Sequence, residues 1–484
     1  MKLIVKLHPE ISIKSKSVRK RFTKLLESNI RIAARRILET VFVQNNWDKL
    51  TVTVNDATPE QEQAVIAQLQ RIPGIVQFNL VQETPFTDID DIYQQVFELY
   101  KERLENKTFC VRVKRSGKHD FSSQEVAQYV GGGLNQNIAS AKVQLKNPQM
   151  TVRVEIKDDQ VFVIKQNYRG MGGFPLPTQE DVLSLISGGF DSGVASYQMI
   201  RKGARTHYCF FNLGGAAHEI GVKQVAYYLW KNYSITHKVK FITVDFEPVV
   251  AEILENVENS QMGVVLKRMM MRAASKVADK LNIEALVTGE SLGQVSSQTL
   301  TNLSVIDRVV PHLILRPLIQ HDKQEIIDIA TAIGTEDFAK TMPEYCGVIS
   351  KRPTVKAKLG VIEGEEQKFD FDVLDKVVEN STLIDIRKIE EQALEEVAEV
   401  ESISDLAATD IVVDIRSPEE EDERPLEIDG IEVIHIPFFK LSGQFDELDQ
   451  SKQYLLYCDR GVMSKLQALL LHENGYNNVR VYRP

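Results

Sequence analysis

Residues 187–192 read SGGFDS and follow a short apolar run, DVLSLI, so a loop of serines and glycines stands where a strand should end. The apolar run predicts a buried parallel strand, and the following residues, DSGVASYQMIRKG, predict a helix. Glycines permit a sharp turn, and the loop amides and hydroxyls would lie at the positive end of that helix, which favours an anion. The loop therefore predicts a phosphate site rather than a plain helix-entry turn, and it is not a Walker loop because GxxxxGK[ST] is absent. The groups offered to the phosphate are Ser187, Gly188, Gly189 and Ser192.

A second candidate group is Cys458, which ends the apolar run YLLYC and precedes the polar stretch DRGVMS. This pattern predicts a strand followed by a helix that starts near Gly461 or Val462. Amides at such a junction can stabilise a thiolate or a persulfide, and Arg460 adds positive charge that Asp459 partly offsets. A buried structural cysteine is the alternative, but the polar loop favours an exposed, reactive thiol.

Four cysteines occur in the 484 residues: Cys110, Cys209, Cys346 and Cys458. None lies in a CxxC pair, and neither HExxH nor a Cys/His cluster with zinc-like spacing occurs, so we expect no structural metal. Cys110 and Cys209 lie in the apolar runs TFCVRV and HYCFFN and are assigned to packing. The first residues carry Lys6 and His8 where a signal peptide needs an unbroken apolar core, and no run could span a membrane. We therefore expect a cytoplasmic protein of several domains, with cores supplied by the 43% of hydrophobic residues.

The net charge of −10 is unevenly distributed. Residues 1–180 contain 26 Lys and Arg against 20 Asp and Glu, whereas the remainder contains 32 against 48. Helical periodicity near the N-terminus places apolar side chains in one sector and basic side chains in the opposite one: Phe22, Leu26, Ile30, Ala33 and Ile37 against Lys20, Lys24, Arg31 and Arg35. A solvated helix face is the usual explanation, but the lack of acidic residues among the basic ones favours RNA or another polyanion.

The remaining patterns predict α/β domains. FCVRVKR at 109–115 alternates as a strand does, SSQE at 122–125 has capping-box spacing, and TVRVEI and VFVIK flank Asp158 and Asp159 as in a hairpin. From 178 to about 360, strand-like and helix-like segments alternate, which predicts a doubly wound sheet that binds ligands at the carboxyl ends of its strands. A second polar loop, TGESLGQVSSQT at 288–299, would lie near the first and is placed to hold the adenosine half of a nucleotide.

Two segments remain at the C-terminal end. Residues 361–400 contain 13 Asp and Glu against 4 Lys and Arg, which predicts an acidic helical linker that is solvated. The last 84 residues, with the strand-like runs DIVVDIRS, EVIHIPF and YLLYC, predict a compact α/β unit.

Several of these segments resemble known families. SGGFDS, between a strand and a helix, resembles the PP-loop of ATP pyrophosphatases, which cleave ATP to AMP and pyrophosphate while adenylating a substrate. The run SGKHDFSSQEVAQYVGGGL resembles a THUMP domain, a module associated with tRNA-modifying enzymes. DIVVDIRS and the Cys458 segment resemble a rhodanese domain, and Ser464 stands where related phosphatase loops carry an arginine, which favours sulfur as the cargo. With FFNLGGAAHEIGV and TMPEYCGVISKRPTVKAK, the whole chain resembles the tRNA 4-thiouridine synthases (tRNA sulfurtransferases) of gamma-proteobacterial type.

This resemblance implies a multidomain α/β fold with five segments. They are a basic ferredoxin-like α+β domain at 1–60, a THUMP RNA-binding domain at 61–175, a doubly wound PP-loop ATP pyrophosphatase domain at 176–360, the acidic linker at 361–400 and a rhodanese-like α/β domain at 401–484.

The resemblance also implies a reaction. The family uses ATP to adenylate O4 of the uridine at position eight of tRNA, and a persulfide sulfur then displaces AMP. Cys458 would carry the persulfide, and Cys346 would pair with it after sulfur release. Asp191 matches the essential acidic residue of the PP-loop, acting through Mg²⁺ or phosphate positioning, and Lys323 matches a lysine that neutralises developing phosphate charge. The implied nucleotide contacts are Leu185, Ile186, Lys267, Gly289 and Gln298.

The implied partners are tRNA, a cysteine desulfurase as persulfide donor, the sulfur-carrier protein of thiamine thiazole synthesis and a reductant for the Cys346–Cys458 disulfide. No membrane partner is expected, and a homodimer is open. Two alternatives remain: a PP-loop amide synthetase of the GMP or NAD synthetase kind, for which no glutaminase or nitrilase module is apparent, and a tRNA-binding scaffold that carries a sulfur-relay rhodanese domain.

Overall fold

A computed structural model describes residues 1–46, 49–213, 215–342, 349–389, 402–404, 406–407, 410–416, 420–421, 424–458 and 462–483. The chain forms two compact units, Met1–Pro175 and Leu176–Pro484. No helix among these residues is both long enough and apolar enough to cross a membrane.

The first unit is built on one eight-stranded sheet with the order β2-β3-β1-β4-β8-β7-β5-β6. Its elements are β1 (Lys2–Leu7), α1 (Pro9–Ser12), α2 (Lys16–Arg35), β2 (Val41–Asn45), β3 (Lys49–Val54), α3 (Pro59–Gln70), β4 (Ile75–Pro85), α4 (Ile89–Tyr100), β5 (Thr108–Ser116), α5 (Ser123–Asn137), β6 (Lys142–Val143), β7 (Met150–Lys157) and β8 (Gln160–Arg169). The first four strands with α2 and α3 give the β-α-β-β-α-β order of a ferredoxin-like layer, and β4 also pairs with β8.

The predicted boundary at residue 60 is wrong, because it divides α3. A capping box of Thr58 and Gln61 starts this helix, and its face with Val65 and Leu69 is buried. Since β4 pairs with β1, both α3 and β4 complete the ferredoxin-like layer.

The local predictions for this unit are confirmed except for two on α2: Ile37 is not part of its buried face, and an acidic residue, Glu27, does lie among the basic side chains. Phe22, Leu26, Ile30 and Ala33 are buried on α2, whereas Ile37 lies beyond the helix end and is only half-buried. The basic side chains of Lys20, Lys24 and Arg35 are exposed, and Arg31 pairs with Glu27. The capping box at 122–125 starts α5, and β7 and β8 form the predicted hairpin with a positive φ of 52° at Asp158.

The second unit contains a six-stranded sheet with the order β13-β12-β9-β10-β11-β14. Its elements are β9 (Gln179–Leu185), α6 (Phe190–Arg201), β10 (Ala204–Asn212), α7 (Gly215–Leu229), β11 (Lys240–Asp245), α8 (Glu247–Asn256), α9 (Met262–Leu281), β12 (Ala285–Val287), α10 (Leu300–Asp307), β13 (Leu313–Leu315), α11 (Lys323–Ile333), α12 (Glu336–Thr341), α13 (Leu359–Glu366), α14 (Phe371–Glu379) and β14 (Thr382–Asp385). All neighbouring strands are parallel except β14, which is antiparallel to β11. The predicted doubly wound arrangement is confirmed.

The predicted solvated linker is wrong for residues 361–389, which belong to this domain. Ile362, Leu374 and Val378 lie in the main core, and β14 extends the sheet. The acidic composition predicted a solvated segment, but one of its acidic side chains is buried and paired. Glu366 is 5% exposed and accepts hydrogen bonds of 2.6 and 2.8 Å from the Arg268 guanidinium. Residues 390–400 lie outside the described residues.

We expect Glu366→Gln to lower the free energy of unfolding by about 3–5 kcal/mol, because the buried Arg268 guanidinium loses its charged partner. Urea denaturation followed by Trp230 fluorescence in a Trp47→Phe background measures this change. The matched control is Asp375→Asn, whose pair with Lys276 is about half exposed and should contribute about 0–1 kcal/mol. Equal losses in the two variants would contradict a structural role for the buried pair.

The C-terminal part of this unit has a second, parallel sheet. Its elements are β15 (Ser402–Ile403), β16 (Ile411–Asp414), β17 (Glu432–His435), α15 (Phe438–Gln444), β18 (Tyr454–Tyr457), α16 (Val462–Glu473) and β19 (Val479–Tyr482), with the strand order β15-β19-β18-β16-β17. The three predicted strands form, and α16 begins at Val462 as the sequence indicates.

Candidate active site

The loop between β9 and α6 is closed by the hydroxyl of Ser192. This oxygen accepts the backbone N–H of Ser187 at 3.1 Å, lies 3.2 Å from the Ser187 hydroxyl and donates to the carbonyl of Gly189 at 3.3 Å. Gly188 has a φ of +81°, which favours glycine, and Gly189 caps α6. The loop thus stands at the positive end of a twelve-residue helix, as the sequence predicts for an anion site.

Asp191 lies in the first turn of α6 and has two partners from distant parts of the chain. Its Oδ1 accepts from Lys323 Nζ at 2.8 Å, and its Oδ2 accepts from Gln294 Nε2 at 2.8 Å. The Lys323 ammonium also lies 5.3 Å from the centroid of the Phe190 ring. Lys323 is the first residue of α11, which begins after a capping box formed by Asp322 and Glu325. The N-terminus of a second helix therefore lies beside Asp191. The structure therefore brings Asp191 and Lys323 together.

The second polar loop touches the first one directly. A Cβ built on Gly289 would lie 2.6 Å from the carbonyl carbon of Asp191 and 2.7 Å from the Ser192 nitrogen, so only glycine fits. The Gln298 side chain is buried, and its amide oxygen accepts from the Ser291 backbone N–H at 3.1 Å. Gln298 thereby shapes the second loop.

The other predicted nucleotide contacts surround these loops less closely. Leu185 ends β9 half-buried, and Ile186 is buried beneath the loop. Lys267 is partly buried on α9, and within the described part of the chain its ammonium makes no hydrogen bond or ion pair. A cavity of about 110 Å³ opens at the carboxyl ends of β10 and β11, lined by Leu213, Glu247, Val250, Leu266 and Ile349. Among the described residues, no cluster of three or more His, Cys, Asp or Glu side chains suits a metal ion.

Cys458 follows β18 directly and faces the start of α16. The backbone N–H of Ser464 donates to Cys458 Sγ at 3.3 Å, and the two side chains are 3.4 Å apart. A donor from the first turn of a helix favours the thiolate or persulfide anion. Cys458 is partly exposed, whereas burial raises the pKa of the Cys209 thiol to about 12 and Cys110 is buried. Only Cys458 of these three is open to a sulfur donor.

The strand beside Cys458 carries a buried ion pair. Arg416 Nη2 lies 2.6 Å from Asp414 Oδ2, and the guanidinium stands 5.2 Å from the centroid of the Tyr457 ring. The arginine of the Asp-x-Arg pattern therefore packs against Tyr457, the residue that precedes Cys458. Cys346 lies outside the described residues, so its pairing with Cys458 remains a prediction.

Comparisons with known families match the domains in the order seen in the fold. Residues 2–79 match the ThiI ferredoxin-like domain, 86–164 the THUMP domain, 177–371 the family described as thiamine biosynthesis protein (ThiI), and 396–483 the rhodanese-like domain. A tRNA sulfurtransferase of Colwellia psychrerythraea is 63% identical over 484 residues, covering 100% of both chains. The chain belongs to the tRNA sulfurtransferase family. The predicted family, fold class and sulfurtransferase activity are confirmed.

Two more relatives match the whole chain, and one solved structure shares its fold. The tRNA sulfurtransferases of Erwinia tasmaniensis and Shewanella pealeana are 60% and 62% identical, again over 100% of both chains. A 4-thiouridine synthetase solved in complex with RNA and bound ATP has a TM-score of 0.69 at 24% identity. It covers 79% of this chain, and this chain covers 99% of it, so the two share a fold.

Sequence reasoning missed several residues of this sulfurtransferase site. Gln294 lies in the second polar loop, but no pattern marks it as a partner of Asp191. Beneath the loop, Ser196 donates to the Ser192 carbonyl at 2.8 Å and lies 2.8 Å from the buried Ser184 hydroxyl. Serines at 184 and 196 are the sequence signal, since hydroxyls at buried positions of a strand and a helix need partners.

Proposed function

We propose that this chain uses ATP to transfer sulfur to the uridine at position eight of tRNA, forming 4-thiouridine. The observation that carries the proposal is the joint presence, in one compact unit, of the Asp191–Lys323 loop and of Cys458 at a helix start. The first arrangement suits a phosphate anion, and the second suits a sulfur anion. Membership of the tRNA sulfurtransferase family supports this combination.

In the proposed first half-reaction, O4 of the uridine attacks the α-phosphate of ATP and pyrophosphate leaves. The loop amides and the Lys323 ammonium would stabilise the charge on the phosphates. Asp191 would exchange part of its pairing with Lys323 for phosphate-bound Mg²⁺, because this ion uses one or two carboxylates together with substrate oxygens. The carbonyl oxygen, a poor leaving group, thereby becomes part of AMP, a good one.

The adenosine half of ATP is proposed to lie across the second loop and the cavity beside α9. That loop approaches the first at Gly289, and the cavity at the strand ends is lined mainly by apolar side chains, which suit a base. Lys267 on α9, together with Leu185, Ile186 and Gln298, would complete the contacts.

In the second half-reaction, the terminal sulfur of a Cys458 persulfide attacks C4 of the uridine and AMP leaves. A second thiol then attacks Cys458 Sγ, the sulfur–sulfur bond breaks, and 4-thiouridine is released with a Cys458 disulfide. We propose that Cys346 is this thiol and that an external dithiol reductant reopens the disulfide. A cysteine desulfurase would reload Cys458.

The first unit is proposed to bind the tRNA. The exposed side chains of Lys20, Lys24 and Arg35 on α2 present positive charge to a phosphate backbone, whereas Arg31 on the same helix is paired with Glu27. We also propose that Cys458 passes sulfur to the sulfur-carrier protein of thiamine thiazole synthesis. The match of residues 177–371 to the thiamine biosynthesis protein (ThiI) family supports this role. A homodimer remains a proposal.

The test incubates the protein with unmodified tRNA, ATP, cysteine and a cysteine desulfurase. Mass spectrometry of the digested tRNA and of the intact protein then measures 4-thiouridine and the persulfide on Cys458 in the same reaction. Product that requires both ATP and the desulfurase supports the proposal. Persulfide without any ATP-dependent 4-thiouridine would instead favour a scaffold that only relays sulfur.

We expect Gly289→Ala to weaken ATP binding by about ten-fold or more, because the added methyl group collides with backbone atoms of Asp191 and Ser192. Backbone cannot rotate away as a side chain can, so the two loops must separate. Isothermal titration with ATP measures the affinity. Gly263→Ala on α9 is the control, since its Cβ meets no atom within 4 Å, and an equal loss in both variants would refute the contact.

A further inference from the structure

Helix α7 contacts the PP-loop with one of its faces. Burial lowers the pKa of the His218 imidazole, and a hydrogen bond to the backbone of Ser187 opposes this shift. The ring of Phe210 packs edge-on against His218 with centroids 4.7 Å apart. Farther along, a Cβ on Gly188 would lie 3.2 Å from Val222 Cγ2. His218 and Val222 are four residues apart, so they share one face of the helix.

The opposite face of α7 contacts the C-terminal domain. Ile220 is 8% exposed and lies in the same hydrophobic cluster as Val413, Leu441 and Leu471 of that domain. Four residues later, the Gln224 Oε1 accepts from Gln467 Nε2 at 3.2 Å, and both side chains are buried. Ile220 and Gln224 each follow a residue of the first face, His218 and Val222, by two positions. Two positions correspond to a rotation of about 200° around the helix axis, so the two pairs point to opposite sides. One helix therefore lies between the PP-loop and α16, the helix that begins after Cys458.

Helix α12 forms the second half of this contact. Phe338 is buried, and its ring centroid lies 5.6 Å from that of Phe438 on α15. Directly after α12, Met342 packs against both the PP-loop and α7. Its Cε lies 2.7 Å from the place that a Cβ on Gly188 of the loop would occupy, and 2.7 Å from the same place on Gly221 of α7. An exposed ion pair, Lys231 with Glu420 at 3.7 Å, stands at the rim.

The composition of this interface resembles a specific docking site. Apolar contacts supply most of the attraction, whereas a buried pair of polar side chains costs free energy unless the two groups meet in register. The Gln224–Gln467 pair therefore disfavours shifted arrangements of the C-terminal domain on the same apolar surface.

We propose that α7 and α12 form a docking surface for α15 and α16 of the same chain, and that sulfur transfer from Cys458 to the PP-loop site requires this docked arrangement. Gln224 and Gln467 are its positioning residues. The inference rests on the proposed function for its sulfur step, but the docking itself does not. It differs from delivery by a freely tethered domain, for which the interface would be dispensable.

The test replaces both glutamines in the full chain by glutamate, which places two carboxylates at hydrogen-bond distance. We expect single-turnover 4-thiouridine formation by the preloaded persulfide to slow by about ten-fold or more, because like charges in contact oppose docking. Persulfide loading of Cys458 and tRNA-dependent pyrophosphate release should stay within about two-fold of the unmodified protein, since neither needs the interface. Hydrogen exchange of the α7 and α16 amides should accelerate.

Two further variants separate docking from damage. Gln224→Glu with Gln467→Lys restores attraction and should recover transfer to within about three-fold. Gln453→Glu makes the same chemical change at an exposed position of the C-terminal domain and should transfer sulfur normally. Normal transfer by the double-glutamate variant, or no recovery with the opposite charges, overturns the proposal. If the unmodified protein makes no 4-thiouridine, the proposed function is refuted. The docking is then tested by hydrogen exchange alone, and unchanged exchange in the double-glutamate variant would refute it as well.

Discussion

Cys458→Ala forms no 4-thiouridine, while one equivalent of pyrophosphate per active site is still released when tRNA and ATP are added. This is the largest effect that we expect, because alanine cannot carry the transferred sulfur and the PP-loop site is untouched. The Ser464 amide that faces Cys458 Sγ then has no sulfur anion to stabilise. Mass spectrometry of the tRNA nucleosides and a coupled pyrophosphate assay measure the two quantities.

The matched control for this variant is Cys110→Ala, which removes a buried thiol from the first unit. It should retain 4-thiouridine formation, because that sulfur only packs and donates weakly to Thr151. Normal product from Cys458→Ala would show that another group carries the sulfur. Loss of product from both variants would point to a general effect of thiol removal.

Asp191→Asn should slow 4-thiouridine formation by about 100-fold or more, because the charge that organises Lys323 at the phosphate site is lost. Asparagine keeps the size of the side chain, so the helix start should remain intact. Persulfide loading of Cys458 by the desulfurase should be unchanged, since it takes place in the C-terminal domain. The measurements are the initial rate of thiolation and the mass of the loaded protein.

Two comparisons sharpen this prediction. Asp328→Asn neutralises an exposed carboxylate on α11, the helix that carries Lys323, and should leave the rate unchanged. Lys323→Gln should be about as slow as Asp191→Asn, and the double variant should be little slower than either, because groups that act as a unit have non-additive effects. Additive losses would contradict the paired arrangement, and retained thiolation in Asp191→Asn would contradict its role in adenylation.

The features that the sequence predicted well depend on neighbouring residues. The PP-loop, the capping box at 122–125, the hairpin at Asp158 and the helix start after Cys458 each follow from turn chemistry or periodicity within a few positions. Local backbone preferences act over the same short range, so such patterns predict local structure.

Composition was a poor guide where burial decided the outcome. The segment 361–389 is acidic, yet its apolar side chains reach the central core and Glu366 is buried against Arg268. A count of charges cannot reveal that an arginine 98 residues away neutralises one of them. The boundary at residue 60 failed for a similar reason, because β4 belongs to the layer that its pairing with β1 creates.

By itself, the sequence determined which groups could do chemistry: a serine- and glycine-rich loop at a strand end and a cysteine before a helix. Only the tertiary structure decided what surrounds them. Lys323 and Gln294 contact Asp191 from 132 and 103 residues away in the sequence. The second polar loop packs against the first because Gly289 has no side chain. The physical reason is that parallel strands bring their carboxyl ends to one edge of a sheet, and the strand order that makes them neighbours depends on non-local pairing.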